Sequence, residues 1–206
     1  MSFGVRFNAA TRGQLVRKST PSVAGGPEAI WHQFYDTQNY VTAATTRLTF
    51  FQTTNADPTL SNMPAAGQLP SPQFLTIYDV TCDFLTQNTS QAAGVLGEMN
   101  DLKLLLQIGR PTWTLNISDK QYGPYSLTVL HGTGGPVGGI DAGTVAVAIQ
   151  WANNNPAPGW NYQGSLTIPP NVNFSIQVNW AAAQATTQTP IPIRLSLFGI
   201  LSRRVL

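Results

Sequence analysis

The chain has 206 residues, room for one domain with a sizeable core and too few for two comfortable ones. Only 10% of the residues are charged, against the usual ~25%, and polarity comes instead from Thr, Asn, Gln and Ser, so disorder driven by excess charge is excluded. No apolar run approaches the ~18 residues of a membrane-spanning helix, the N-terminal stretch with Asn8, Thr11, Arg12, Gln14 and Arg17 carries no signal-peptide core, and Cys82, the single cysteine, closes no internal disulfide.

The net charge of +2 conceals a division. Residues 1–28 hold Arg6, Arg12, Arg17 and Lys18 against Glu28 alone, and the last stretch holds Arg194, Arg203 and Arg204 with no acid. The body between them carries four bases and eight acids. Basic ends on an acidic body suit nucleic acid, an anionic lipid surface, the acidic face of a neighbouring copy, or plain solvation.

In chain order, residues 1–28 show no sustained period and end in Ala24-Gly25-Gly26-Pro27, which predicts an extended N-terminal arm. Beyond it, short apolar segments broken by turn residues predict β-structure. Trp31 to Tyr35 reads as a short strand and Arg47 to Thr53 as a firmer one, followed by a proline-rich loop over 54–73. Phe74 to Phe84 alternates, with Tyr78, Val80, Cys82 and Phe84 expected on the buried face and Asp79, Thr81 and Asp83 on the wet one. Residues 89–99 predict one short helix, with Thr89 or Ser90 as N-cap, although Gly94 and Gly97 weaken it. Strands are then expected over Leu102 to Ile108, around Trp113, Leu115 and Ile117, over Tyr125 to Leu130, and over Val145 to Trp151 after a glycine-rich loop. The last third alternates most clearly, through Leu166 and Ile168, then Phe174, Ile176, Val178 and Trp180, then Ile191, Ile193, Leu195 and Leu197. Eight or nine strands without a βαβ rhythm predict an all-β, antiparallel two-sheet sandwich: an eight-stranded jelly roll as a single domain over 29–206.

Catalysis needs converging titratable groups, and this chain has few. His32 and His131 stand alone, outside any ligand spacing, and read as structural or exposed imidazoles. Cys82 falls on an apolar strand face and reads as an inert core thiol. Asp79 and Asp83 are roughly 13 Å apart along their strand, too far for a glycosidase carboxylate pair; solvated acids or a calcium site are the alternatives. The run from Gly132 to Gly139 lacks the Gly-Lys-Ser/Thr ending of a phosphate cradle. Three Asn-x-Ser/Thr triplets, at Asn88, Asn116 and Asn173, are what a chain rich in these residues produces by chance. Trp113 and Trp180 fall in register with core residues, whereas Trp151, Trp160 and Tyr162 are candidates for a glycan-stacking platform. No metal and no cofactor are expected.

The arm, the strand budget, the segment Leu104-Leu105-Leu106-Gln107-Ile108-Gly109 and the tail, where Ile168 to Ile176 precedes Ile193 to Leu201, together resemble the single jelly-roll capsid proteins that build the icosahedral shells of tailless DNA bacteriophages. The likeness lies mainly in residues 100–206. It implies a non-enzymatic structural protein of the virion, assembled in the host cytoplasm as a homo-oligomer of capsid subunits alongside other virion proteins. In this reading Arg6, Arg12, Arg17, Lys18, Arg203 and Arg204 reach a neighbouring subunit, the genomic nucleic acid or an inner membrane. The competing expectations are a phage decoration or receptor-binding module that holds a glycan on Trp151, Trp160 and Tyr162, and a cupin-like enzyme. Two histidines without the needed spacing speak against the enzyme.

Overall fold

The computed structural model describes residues 27–85, 101–102, 104–130, 160–186 and 189–204. They contain eight strands: β1 (Pro27–Tyr40), β2 (Arg47–Phe50), β3 (Phe74–Phe84), β4 (Thr112–Ile117), β5 (Lys120–Ser126), β6 (Trp160–Ile168), β7 (Phe174–Asn179) and β8 (Ile191–Arg204). One four-stranded sheet has the order β1-β8-β3-β6 and the other β2-β7-β4-β5, with every pairing antiparallel.

That order has a simple origin. β1 pairs with β8, β2 with β7, β3 with β6 and β4 with β5, as in one long hairpin folded at the β4-β5 turn. Rolling the hairpin up adds the contacts β3-β8 and β4-β7 and leaves two sheets face to face. This is the eight-stranded jelly roll that the alternation predicts.

Alternation at period two decides which side chains meet between the sheets. Phe34 and Tyr40 of β1, Ile193, Leu195 and Leu197 of β8, Trp113 and Leu115 of β4, and Ile176 and Val178 of β7 are all buried there. Trp180, just past β7, is also buried; its indole N–H donates to the Leu105 carbonyl at 3.1 Å and its ring meets Tyr40 edge-on. Cys82 lies fully inside, as its strand face predicts.

Several elements differ from the sequence reading. β1 is far longer than Trp31 to Tyr35 and opens at Pro27, so Glu28, assigned to the arm, already pairs with Arg203. Leu102 to Ile108 is not a strand: Leu104–Ile108 forms a π-helical turn that buries Leu105 and Leu106 and leaves Ile108 56% exposed. Here Gly109 accepts the close approach of Trp180, whose Cδ1 would lie 2.8 Å from an added Cβ. The expected strand Tyr125 to Leu130 is the end of β5 followed by a 3₁₀ turn, Leu127–Val129. The expected helix over 89–99 and strand over 145–151 lie outside the described residues, as does the arm before Pro27.

β3 contains the most informative departure. A register irregularity between Ile77 and Asp79 shifts the phase of the strand, so Leu75 and Ile77 face inward before it, Val80, Cys82 and Phe84 after it, and Tyr78 is turned out. Beside this bulge the Thr76 carbonyl oxygen approaches β8 so closely that a Cβ on Gly199 would sit 2.1 Å from it. The atom in the way is backbone and no rotamer relieves it. Gly199→Ala is therefore expected to cost about 3 kcal/mol or more, measured by urea denaturation; a loss below about 0.5 kcal/mol would show that β3 and β8 separate freely at this point.

Candidate functional site

The outward positions of the β1-β8-β3-β6 sheet form two unlike halves. At one end stand Trp31 on β1, Phe198 and Ile200 on β8, and Phe74 and Tyr78 on β3, with Trp31 in register with Ile200 and Ile200 with Thr76. Trp31 is 70% exposed, the most exposed large apolar side chain among the described residues, and its ring reaches across β8 to Tyr78 at 5.5 Å between centroids. A tryptophan in water beside half-exposed aromatics is what interaction surfaces look like.

At the other end, the 51–73 loop folds back over β1. Tyr35 donates its N–H to Asn62 Oδ1 at 2.8 Å, Asn62 returns its backbone N–H to the Tyr35 carbonyl, and Asn62 Nδ2 donates to the Gln33 carbonyl at 2.7 Å. The Tyr35 hydroxyl donates to the Pro58 carbonyl. Arg194 stacks over the Tyr35 ring at 4.8 Å, donates to Thr37 Oγ1 and to the Thr59 carbonyl, and lies in register with Asp83. Burial pushes the Asp83 carboxyl above its ordinary pKa, with Arg194 pulling the other way.

Asp36 is the inner anchor of this loop. It occupies an inward parity on β1, is buried, and collects donors: the Phe51 N–H at 2.6 Å, Gln38 Nε2 at 3.0 Å, the Thr37 N–H and the Ser61 hydroxyl. Phe51 sits at φ 68°, a left-handed turn that aims its N–H at the carboxylate. Burial raises the Asp36 pKa above the ordinary carboxylate value, and the four donors offset part of that rise.

The chain ends meet at the aromatic end of the sheet. Pro27 is the register partner of Arg204, and Glu28 of Arg203, so the polypeptide enters and leaves the sandwich side by side. Arg203 Nε donates to Glu28 Oε2 at 2.8 Å, while the exposed Arg204 side chain has no hydrogen bond or ion pair among the described residues. A cavity of about 470 Å³ opens here, lined by Glu28, Ala29, Pro72, Phe74, Ser202, Arg203 and Arg204. Of the sequence candidates, the structure thus brings Arg203 and Arg204 together. Arg6, Arg12, Arg17, Lys18 and Trp151 lie outside the described residues. Trp160 and Tyr162 belong to β6, with Trp160 in register with Val80.

The remaining titratable groups among the described residues stand apart from one another. Burial first, then Arg203, lowers the His32 pKa, and the ring packs edge-on against Phe34 at 4.4 Å. Burial, aided by the Asp83 charge, pushes the Cys82 thiol well up, which keeps it un-ionised and inert. Asp79 turns its Oδ1 to the Val80 N–H at 2.8 Å. Among the described residues no three His, Cys, Asp or Glu side chains gather as a metal site. Trp31, Asp36 and Arg194 do not stand out from the sequence as site residues. Their signal is parity, since Trp31 opposes the phase of Phe34 and Asp36 shares it. No family model matches the chain, and comparison with curated proteins and with solved structures gives no significant match.

Because folding raises the Asp36 pKa, the protonated form is favoured in the native state. Its effect on stability is therefore flat below the unfolded value near pH 3.9, falls as pH climbs through the native value, and levels off above it. Asp36→Asn sets an amide against four donors and is expected to cost about 1–3 kcal/mol while removing this dependence. Urea titrations of both proteins between acid and neutral pH check it: the wild type should lose stability relative to the variant as pH rises, and a relative gain would refute the balance assigned to burial and donors.

Proposed function

We propose that this chain is a structural virion protein that self-assembles into an icosahedral capsid shell, with its basic termini turned toward neighbouring subunits, genome or an inner membrane. A jelly roll alone does not choose this function, since capsid, lectin and cupin domains share it. The observation that carries the reading is the exterior. Outward positions of the β2-β7-β4-β5 sheet are Arg47, Thr49, Gln177, Asn179, Thr112, Thr114 and Asn116, polar with Arg47 as their one charge and Thr114 buried, and those of the other sheet end in an aromatic strip around Trp31.

Such a surface is poorly suited to a solitary molecule and well suited to one whose flanks are covered by copies of itself. Both chain ends leave the sandwich at one point, beside Arg203 and Arg204. The strand that follows the basic arm thus begins beside the one that ends in Arg203 and Arg204; a subunit that faces a polyanion on one side of a wall needs its bases on that side. Phosphate contacts of this kind are blind to sequence and weaken steeply with salt.

Electron microscopy and sedimentation of the purified full-length chain across ionic strengths test the proposal. Rings, lower oligomers or closed particles are expected. Replacing Arg6, Arg12, Arg17 and Lys18 together by Gln should reduce nucleic-acid binding and flatten its salt dependence, by a slope of about 0.9 for each duplex phosphate that is no longer neutralised. A species monomeric under every ionic condition would overturn the proposal. Glycan binding abolished by Trp160→Ala with the fold intact would replace it with the decoration or receptor-binding reading.

A further inference from the structure

We infer that two copies of this chain pair through the open first part of the β1 edge, antiparallel about a two-fold axis at Ile30, joining their sheets into one continuous eight-stranded sheet. The inference rests on the assembly reading only in taking the partner to be a second copy; the contact itself comes from the edge.

β1 is the outer strand of its sheet, so alternate residues turn their N–H and C=O groups away from β8. The bonds made by Gln33 and Tyr35 to Asn62 identify the odd-numbered residues as the ones that do so. The loop bonds to this row at Gln33 and Tyr35, through Asn62. Ala29 and Trp31 carry the same outward groups and meet nothing among the described residues. Folded proteins blunt such edges with lysine, proline, bulges or covering loops. Here the protection is applied in the middle of one unbroken 14-residue strand, and the segment before it, without main-chain partners on this side among the described residues, bears the 70% exposed Trp31.

The bare segment is complementary to itself. With Ile30 opposite the partner's Ile30, Ala29 faces the partner's Trp31 and exchanges two main-chain hydrogen bonds with it, and symmetry repeats the pair. The smallest side chain of the segment thus lies beside the largest. The two Trp31 residues become diagonal neighbours about 7–8 Å apart, within reach of each other's rings. On the other face Glu28 stands opposite the partner's His32, a carboxylate against an imidazole N–H. The register brings no like charges together. It ends at Gln33, where the loop of each copy begins.

Sedimentation velocity and native mass spectrometry of the full-length chain, with a cysteine cross-link, test it. Trp31→Ser should weaken self-association by about 30-fold or more. Ala29→Pro removes an edge N–H that β8 does not use and should act likewise, while the denaturation midpoints of both variants stay near wild type. Ile108→Ser, which alters an exposed apolar side chain at the opposite end of the sandwich, should leave association unchanged. Ile30→Cys should give a disulfide-linked dimer in which residue 30 is joined to residue 30, with buried Cys82 taking no part. If Trp31→Ser and Ala29→Pro associate like the wild type, or if the cross-link forms through other positions, this interface is wrong, and particles seen by microscopy would still uphold the shell. A wild type that stays monomeric removes both.

Discussion

The pairing of β8 holds this molecule together. β8 is matched to β1 over all fourteen of its residues and to β3 over ten positions, so the last strand of the chain is zipped between the first and the third. Its inward residues Ile191, Ile193, Leu195, Leu197 and Leu201 form one wall of the core. Its outward ones, Arg194, Phe198 and Ile200, form the floor on which Tyr35, Trp31 and Tyr78 rest. Pairing Pro27 with Arg204 closes a loop of nearly the whole chain, an entropic cost that grows slowly with length but must be met before the β1-β8 contacts return anything. The inner hairpin β4-β5, joined by two residues, has no such cost. Local pairing followed by outward zippering is the order that this topology favours.

The sheets are legible in the sequence because period-two alternation survives wherever one face is buried and the other is wet. β4, β7 and β8 are readable for that reason. What alternation cannot convey is a phase change inside a strand: reading Tyr78 with Val80 assumes an unbroken register, and the bulge beside Ile77 moves it to the opposite face. Nor can it separate the apolar π turn at Leu104–Ile108 from a strand, since a short apolar run bounded by Gly and Pro fits either. The site is less legible still. Arg203 and Arg204 stand out as charge, but their neighbour Glu28 comes from a segment that reads as arm, and only the register of two strands 175 residues apart brings the pair together.

Asp36 and Arg194 show how a chain so short of charge uses the charges that it has. Asp36 works from inside and Arg194 from outside, and both fasten the same loop to β1. A buried carboxylate with four donors contributes little net stability over an apolar replacement. Its value is geometric: every donor has one place to go, so the 51–73 loop with its four prolines acquires one conformation. That fixed loop is what occupies the β1 edge at Gln33 and Tyr35.

The same device sets the limit of the open edge, and this links the two halves of the functional reading. Were the whole edge bare, strands could add in several registers and in either direction, and association would be open-ended. Occupying it at Gln33 and Tyr35 leaves a short segment before them, with Ala29 and Trp31 as the residues able to bond across it in the proposed pairing. An assembly that must close needs contacts of this bounded, single-register type, because a subunit that accepts neighbours in alternative registers builds irregular aggregates rather than shells. In the proposed assembly, the loop anchored by Asp36 and Arg194 would thus limit the registers open to a neighbour as well as hold the fold.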